Sequence, residues 1–128
     1  MKSIVLCGSR RYKKEMRKFG KDLKDLGVIV YEPYLHSGQD EWKALSQEYR
    51  NFIALGLTHD HFYKIKMADV VFIFNKDGYV GNSTTLEIGY AMALGKPIYA
   101  LSEDEELCRN VLFRKIITDT KELVGYLK

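Results

Sequence analysis

The run Asp69-Val70-Val71-Phe72-Ile73-Phe74-Asn75 is short, apolar and rich in β-branched and aromatic residues, the composition of a strand buried on both faces. Strands of that kind belong to parallel sheets, and a parallel pair needs a crossover, usually a helix, between its members. The residues that follow supply one. The polar glycine loop Gly78-Tyr79-Val80-Gly81-Asn82-Ser83 leads into a predicted helix from about Thr85 to Leu94, which Gly95 ends. Lys96-Pro97 then opens another strand, Ile98-Tyr99-Ala100-Leu101.

The same alternation runs through the chain. Ile4-Val5-Leu6-Cys7 reads as a first strand ending in Gly8-Ser9. Tyr12 to Leu26 reads as its helix, with Met16, Phe19, Leu23 and Leu26 on the apolar side and Gly27 as the stop. Val28 to Tyr31 makes a second strand closed by Pro33. A loop is expected from His36 to Asp40, then mostly helix from Glu41 to Lys66 with a break near Gly56. Lys115 to Thr118 reads as a fifth strand and Lys121 to Leu127 as a terminal helix. Strands alternating with helices predict an α/β fold: one domain over residues 1–128, a doubly wound, flavodoxin- or Rossmann-like parallel sheet of about five strands with helices on both faces. Such a sheet has one topological switch point, flanked here by the loops Gly8 to Tyr12 and Lys76 to Thr85.

At 128 residues the chain can bury a core without staples. Twenty basic against 17 acidic residues leave +3, too mild to indicate a nucleic-acid polymer or a membrane as partner. Much of the excess, Lys13, Lys14, Arg17, Lys18 and Lys21, fits the wet face of the first helix. Cys7 and Cys108 form no disulfide framework, and Cys7 closes a predicted buried strand as a small apolar residue. A reducing cytoplasm suits them. The opening run is too short for a secretory signal, and no stretch is apolar enough to span a bilayer.

Several residues bear chemistry. Gly8-Ser9-Arg10-Arg11 could cradle a phosphate with amides, a hydroxyl and a guanidinium, or could be a tight turn with solvated arginines. It lacks both the GxGxxG and the P-loop patterns, which argues against a dinucleotide enzyme and a P-loop NTPase and leaves no cofactor implied. Glu87 stands beside the switch point, where a first-turn carboxylate would be held ionised by the helix dipole, as a nucleophile requires. Thr84-Thr85-Leu86-Glu87 is equally a capping box, a spacing repeated at Ser102 to Glu105. His59 and His61 are two apart and point different ways on a helix, so they do not read as a metal pair. Trp42, Tyr49, Phe52 and Leu55 recur at helical spacing and read as core or subunit contact. Tyr79 reads as a ligand contact.

Cys7-Gly8-Ser9 with Arg11, Ala68-Asp69-Val70-Val71, Glu87-Ile88-Gly89-Tyr90-Ala91 and Gly95-Lys96-Pro97-Ile98 together resemble the nucleoside 2-deoxyribosyltransferase superfamily, which includes deoxynucleoside 5′-monophosphate N-glycosidases. The likeness runs in order from residue 3 to about 101. It implies Glu87 as the nucleophile that attacks the anomeric carbon, a covalent glycosyl ester, and then water or a second base to complete the reaction. Ser9 and Arg11 resemble the glycosidase branch's 5′-phosphate contacts, and Gly8, Tyr12, Tyr79, Gly81, Asn82 and Ser83 join them as substrate-binding candidates, with no metal. Two positions depart from the family pattern. His61 stands where an aspartate near the departing base is usual, and Gly81 where the transferases have an acid. That favours hydrolysis over transfer, with His61 as a general acid of suitable intrinsic pKa.

The expected activity is therefore N-glycosidic cleavage of a nucleoside 5′-monophosphate or related nucleotide by a cytoplasmic homodimer or larger homo-oligomer. The alternative is a non-catalytic nucleotide-binding module of the same fold. The PGGxGTxxE pattern of the cytokinin-activating phosphoribohydrolases is absent, and the first loop lacks the run of hydroxyls that a flavin phosphate needs.

Overall fold

The computed structural model of the chain describes residues 1–35 and 39–128. Its strands are β1 (Ile4–Cys7), β2 (Val30–Tyr31), β3 (Val70–Ile73), β4 (Ile98–Ala100) and β5 (Lys115–Ile116). Its helices are α1 (Lys13–Asp25), α2 (Gln39–Ala44), α3 (Gln47–Met67), α4 (Asn82–Ala93), α5 (Leu107–Asn110) and α6 (Thr120–Leu127), with 3-10 turns at Arg10–Tyr12 and Lys76–Gly78. All the strands pair in parallel in the order β2-β1-β3-β4-β5, with Leu6 opposite Phe72 and Phe72 opposite Tyr99. This is the flavodoxin-like order, and its switch point falls between β1 and β3.

Side-chain alternation along β1 and β3 feeds two separate cores. Ile4, Leu6, Val70, Phe72 and Phe74 pack with Met16, Phe19 and Leu23 of α1 and with Leu123 and Leu127 of α6. Val5, Cys7, Val71 and Ile73 pack on the opposite side with Ile65 of α3 and with Ile88 and Ala91 of α4. Cys7 therefore ends β1 aimed at the two helices that carry His61 and Glu87. Gly8 is required just beyond it, because a Cβ there would stand 2.8 Å from the Phe74 carbonyl oxygen. Among the described residues, no helix is long and apolar enough to cross a membrane.

Four local expectations need correcting. The long helical segment does not break near Gly56, where the helix is exposed and a lone glycine is tolerated at a cost of about 1 kcal/mol. It breaks at Leu45 and Ser46, where the Ser46 hydroxyl accepts from the Tyr49 amide and caps α3. The expected loop ends sooner than Asp40, which belongs to α2, and His36–Gly38 lie outside the described residues. Trp42, Tyr49, Phe52 and Leu55 are all exposed, so none is a core residue. Finally, α4 starts at Asn82 rather than near Thr85.

The amino edge of the sheet is tied by two charged residues. The Asp69 carboxylate accepts from the Ser3 amide at 2.8 Å and its hydroxyl at 3.1 Å, joining the starts of β1 and β3. The Lys96 ammonium donates to the Lys66 and Ala68 carbonyls at 3.0 and 2.7 Å, closing the C-terminus of α3. Both lie at the end of the sheet opposite the switch point.

Candidate active site

Three elements meet behind the carboxyl end of β1. His61 reaches inward from α3, Glu87 from the second turn of α4, and Cys7 from the strand itself. His61 Nε2 lies 3.3 Å from Cys7 Sγ and 3.7 Å from Glu87 Oε1. The Cys7 side chain is fully buried, while Glu87 keeps 14% of its side chain exposed toward the cleft described below. His61 Nδ1 is buried without a hydrogen-bond partner.

Burial dominates the electrostatics. It pushes the Glu87 carboxyl up from 4.5 to about 7, against a Cys7 hydrogen bond that favours the charged form. It lifts the Cys7 thiol well above its ordinary range, and the neighbouring Glu87 charge adds to the effect. It lowers the His61 imidazole to about 4; Lys64 lowers it further and Asp60 opposes. Near neutrality the thiol and imidazole are uncharged and the carboxyl is close to half ionised. Two expectations fail here for the same reason. The helix dipole does not hold Glu87 ionised, since the group sits beyond the first turn in a desolvated place. His61 does not carry the proton that a general acid would need at neutral pH.

The capping-box reading of Glu87 also fails. Thr84 lies buried inside α4, whose N-cap is Gly81, and the Thr85 hydroxyl donates to the Gly81 carbonyl at 2.9 Å.

Glu87 and His61 line an open cleft of 970 Å³ at the switch point. Gly8 and Ser9 border it from the exit of β1, and Gly81, Asn82 and Ser83 from the start of α4. Leu57, Thr58 and Phe62 of α3 and Trp42 of α2 supply a mostly apolar wall. Among the described lining residues Glu87 is the one carboxylate, and Arg10 and Lys43 are the cations. The remaining candidates stand outside this lining. The Arg11 guanidinium stacks 3.7 Å from the Tyr79 ring centroid, and the Tyr12 hydroxyl donates to Asp77 at 3.3 Å. The Ser9 hydroxyl accepts from the Arg11 amide at 3.1 Å, capping the turn that places Arg10 on the cleft and Arg11 away from it.

Sequence reasoning missed Cys7 as a neighbour of the reactive pair and Trp42 as a cleft wall. Cys7 did carry a signal, since alternation from buried Val5 places it on one face at the last position before Gly8-Ser9.

In comparison with solved structures, the chain superposes on a 2-deoxyribosyltransferase from the psychrotolerant bacterium Bacillus psychrosaccharolyticus with a TM-score of 0.66 at 24% identity, covering 97% of this chain and 91% of that one. A conserved protein from Enterococcus faecalis V583 gives a TM-score of 0.62 at 15% identity over 99% of this chain and 97% of its own. The CMP N-glycosidase BcmB of Clostridium botulinum gives 0.53 at 22% identity over 98% of each chain. At these identities the likeness shows a shared fold. No match was found among the curated proteins compared. The family model for nucleoside 2-deoxyribosyltransferase, however, matches residues 5–124, nearly the whole length. The chain thus belongs to the nucleoside 2-deoxyribosyltransferase family, whose enzymes transfer or cleave the glycosyl groups of nucleosides and nucleotides.

Proposed function

We propose that this protein hydrolyses the N-glycosidic bond of a nucleoside 5′-monophosphate or related nucleotide, with Glu87 as the nucleophile. The observation that carries this reading is a carboxylate, the one among the described lining residues, buried yet open to the cleft at the switch point of the sheet. Its oxygen attacks the anomeric carbon, the C–N bond breaks with its electron pair going to the base, and a glycosyl ester remains. Water entering the open cleft supplies the proton to the departing base and then cleaves the ester, returning Glu87 as carboxylate. Neutral His61, 3.7 Å from Glu87 Oε1, is a close uncharged neighbour of the nucleophile. The apolar wall of Phe62, Leu57 and Trp42 suits a flat base. Ser9, Arg10 and the opening amides of α4 suit the 5′-phosphate.

The absence of a second carboxylate from the described lining favours hydrolysis over transfer, because nothing there is placed to activate an acceptor base. The family resemblance also implies a homo-oligomer, supported by the apolar residues that α3 leaves exposed.

The test is base release, followed by chromatography, from a panel of ribo- and deoxyribonucleoside 5′-monophosphates. Wild type is expected to release a base and Glu87→Ala to release none. The rate constant kcat/KM is expected to rise with pH through about 7, as Glu87 loses its proton. Release that survives Glu87→Ala would overturn the assignment. No release by wild type from any substrate, with nucleotide-dependent thermal stabilisation, would establish a binding module instead.

A further inference from the structure

Cys7, His61 and Glu87 come from three different elements, so no spacing in the sequence shows them as a set. In space, a sulfur, a ring nitrogen and a carboxylate oxygen lie within 4.8 Å of one another. A tetrahedral zinc ion with bonds of about 2.0–2.3 Å keeps its donors roughly 3.3–3.6 Å apart. The 3.3 Å from Cys7 Sγ to His61 Nε2 and the 3.7 Å from His61 Nε2 to Glu87 Oε1 are close to two edges of that tetrahedron. Glu87 is the least buried of the three, and the third edge, from its carboxylate to Cys7 Sγ, is no longer than 4.8 Å.

We propose that Cys7 Sγ, His61 Nε2 and Glu87 Oε1 form a reversible, inhibitory site for a soft divalent cation, with zinc as the best fit, entering from the cleft. Charge balance supports the assignment. The bound ion displaces the thiol proton, and the carboxyl proton where one is present, into solvent. A thiolate and a carboxylate then neutralise its two positive charges, so the buried cluster carries no net charge. The imidazole binds in its neutral form with the ring proton on Nδ1. Water from the cleft fills the fourth position, since His61 and Glu87 both border that space.

The unpartnered Nδ1 sets the strength. Zinc-binding histidines usually donate their other ring N–H to an acceptor, and this one finds none. The affinity therefore falls below that of a structural zinc site, and the ion can leave. The inhibitory part rests on Glu87 being the nucleophile, because a carboxylate bound to metal cannot attack; the binding part does not.

The experiment titrates chelator-treated, full-length protein with Co2+, a spectroscopic substitute for zinc. Wild type is expected to give a sulfur-to-cobalt charge-transfer band and tetrahedral visible bands at one equivalent, both abolished by Zn2+. Cys7→Ser is expected to lose the charge-transfer band, Glu87→Gln to bind roughly tenfold more weakly or worse, and Cys108→Ser to behave as wild type. Should Cys7→Ser fail to fold, a sulfur band that persists in Cys108→Ser assigns the ligand to Cys7, the other of the chain's two cysteines, and a Zn2+-dependent shift of the His61 ring protons reports the imidazole. A wild-type spectrum without the sulfur band, a band that survives Cys7→Ser, or one that disappears with Cys108→Ser would overturn the site. Base release measured in chelator separates the two readings: release without metal binding ends this inference alone, while metal binding without release ends the proposed hydrolysis.

Discussion

At the scale of the residue, position and charge state come from different sources. Glu87 could be singled out from the sequence because a strand, a glycine loop and a helix put it beside the switch point. Its protonation could not, because desolvation comes from α3 packing across α4 and from His61 and Cys7, residues distant in the chain. The consequence for stability has a definite sign. A carboxyl lifted from 4.5 to about 7 binds its proton more tightly in the folded chain, so its contribution falls as pH rises across that interval. His61, lowered from 6.5 to about 4, contributes stability that is lost as pH falls across its own interval. Each effect is worth about 3 kcal/mol, and they oppose one another where the intervals overlap. Urea unfolding in chelator should therefore show Glu87→Gln more stable than wild type above about pH 7, with an advantage that shrinks toward about pH 5. Between those limits the variant should gain stability with pH while wild type stays nearly flat. A wild type that outlasts Glu87→Gln at alkaline pH would contradict the burial argument.

At the scale of the element, helix ends were easier to read than helix beginnings. Gly27 and Gly95 were read as stops, and both adopt positive φ just past their helices. At each, the glycine and the residue after it donate back to the last turn, Gly27 to Lys24 and Val28 to Leu23, Gly95 to Met92 and Lys96 to Ala91. The start of α4 was misread because Thr84 and Glu87 have capping-box spacing, yet the chain uses Gly81, which has no side chain to cap with. The break before α3 was misplaced because Gly56 is a louder signal than Ser46, although only Ser46 captures a free amide. Lys96 offers a test at this scale. Lys96→Met removes two hydrogen bonds from the ammonium to the end of α3, and should cost about 1–3 kcal/mol. Because the contact lies at the edge away from the cleft, KM for any substrate should be unchanged, which steady-state kinetics beside thermal unfolding would check.

At the scale of the whole molecule, a parallel sheet of five strands with helices on both faces was legible, since alternating apolar strands and amphipathic helices permit few arrangements. What covers the outer face of α3 was not. Phe52 and Leu55, 74% and 60% exposed, are three residues apart and share one helical face. If two copies meet there, as the proposed homo-oligomer suggests, Phe52→Lys with Leu55→Lys should halve the mass seen by sedimentation while far-ultraviolet circular dichroism stays unchanged. An unaltered mass would move the interface elsewhere. The position of Asp69 and Lys96 has a wider consequence. Both belong to the segments through which the chain resembles its family, yet they fasten the edge of the sheet remote from Glu87. A signature built partly from such fasteners tracks architecture rather than reaction. Relatives that have exchanged one substrate for another, or abandoned catalysis altogether, would still carry it.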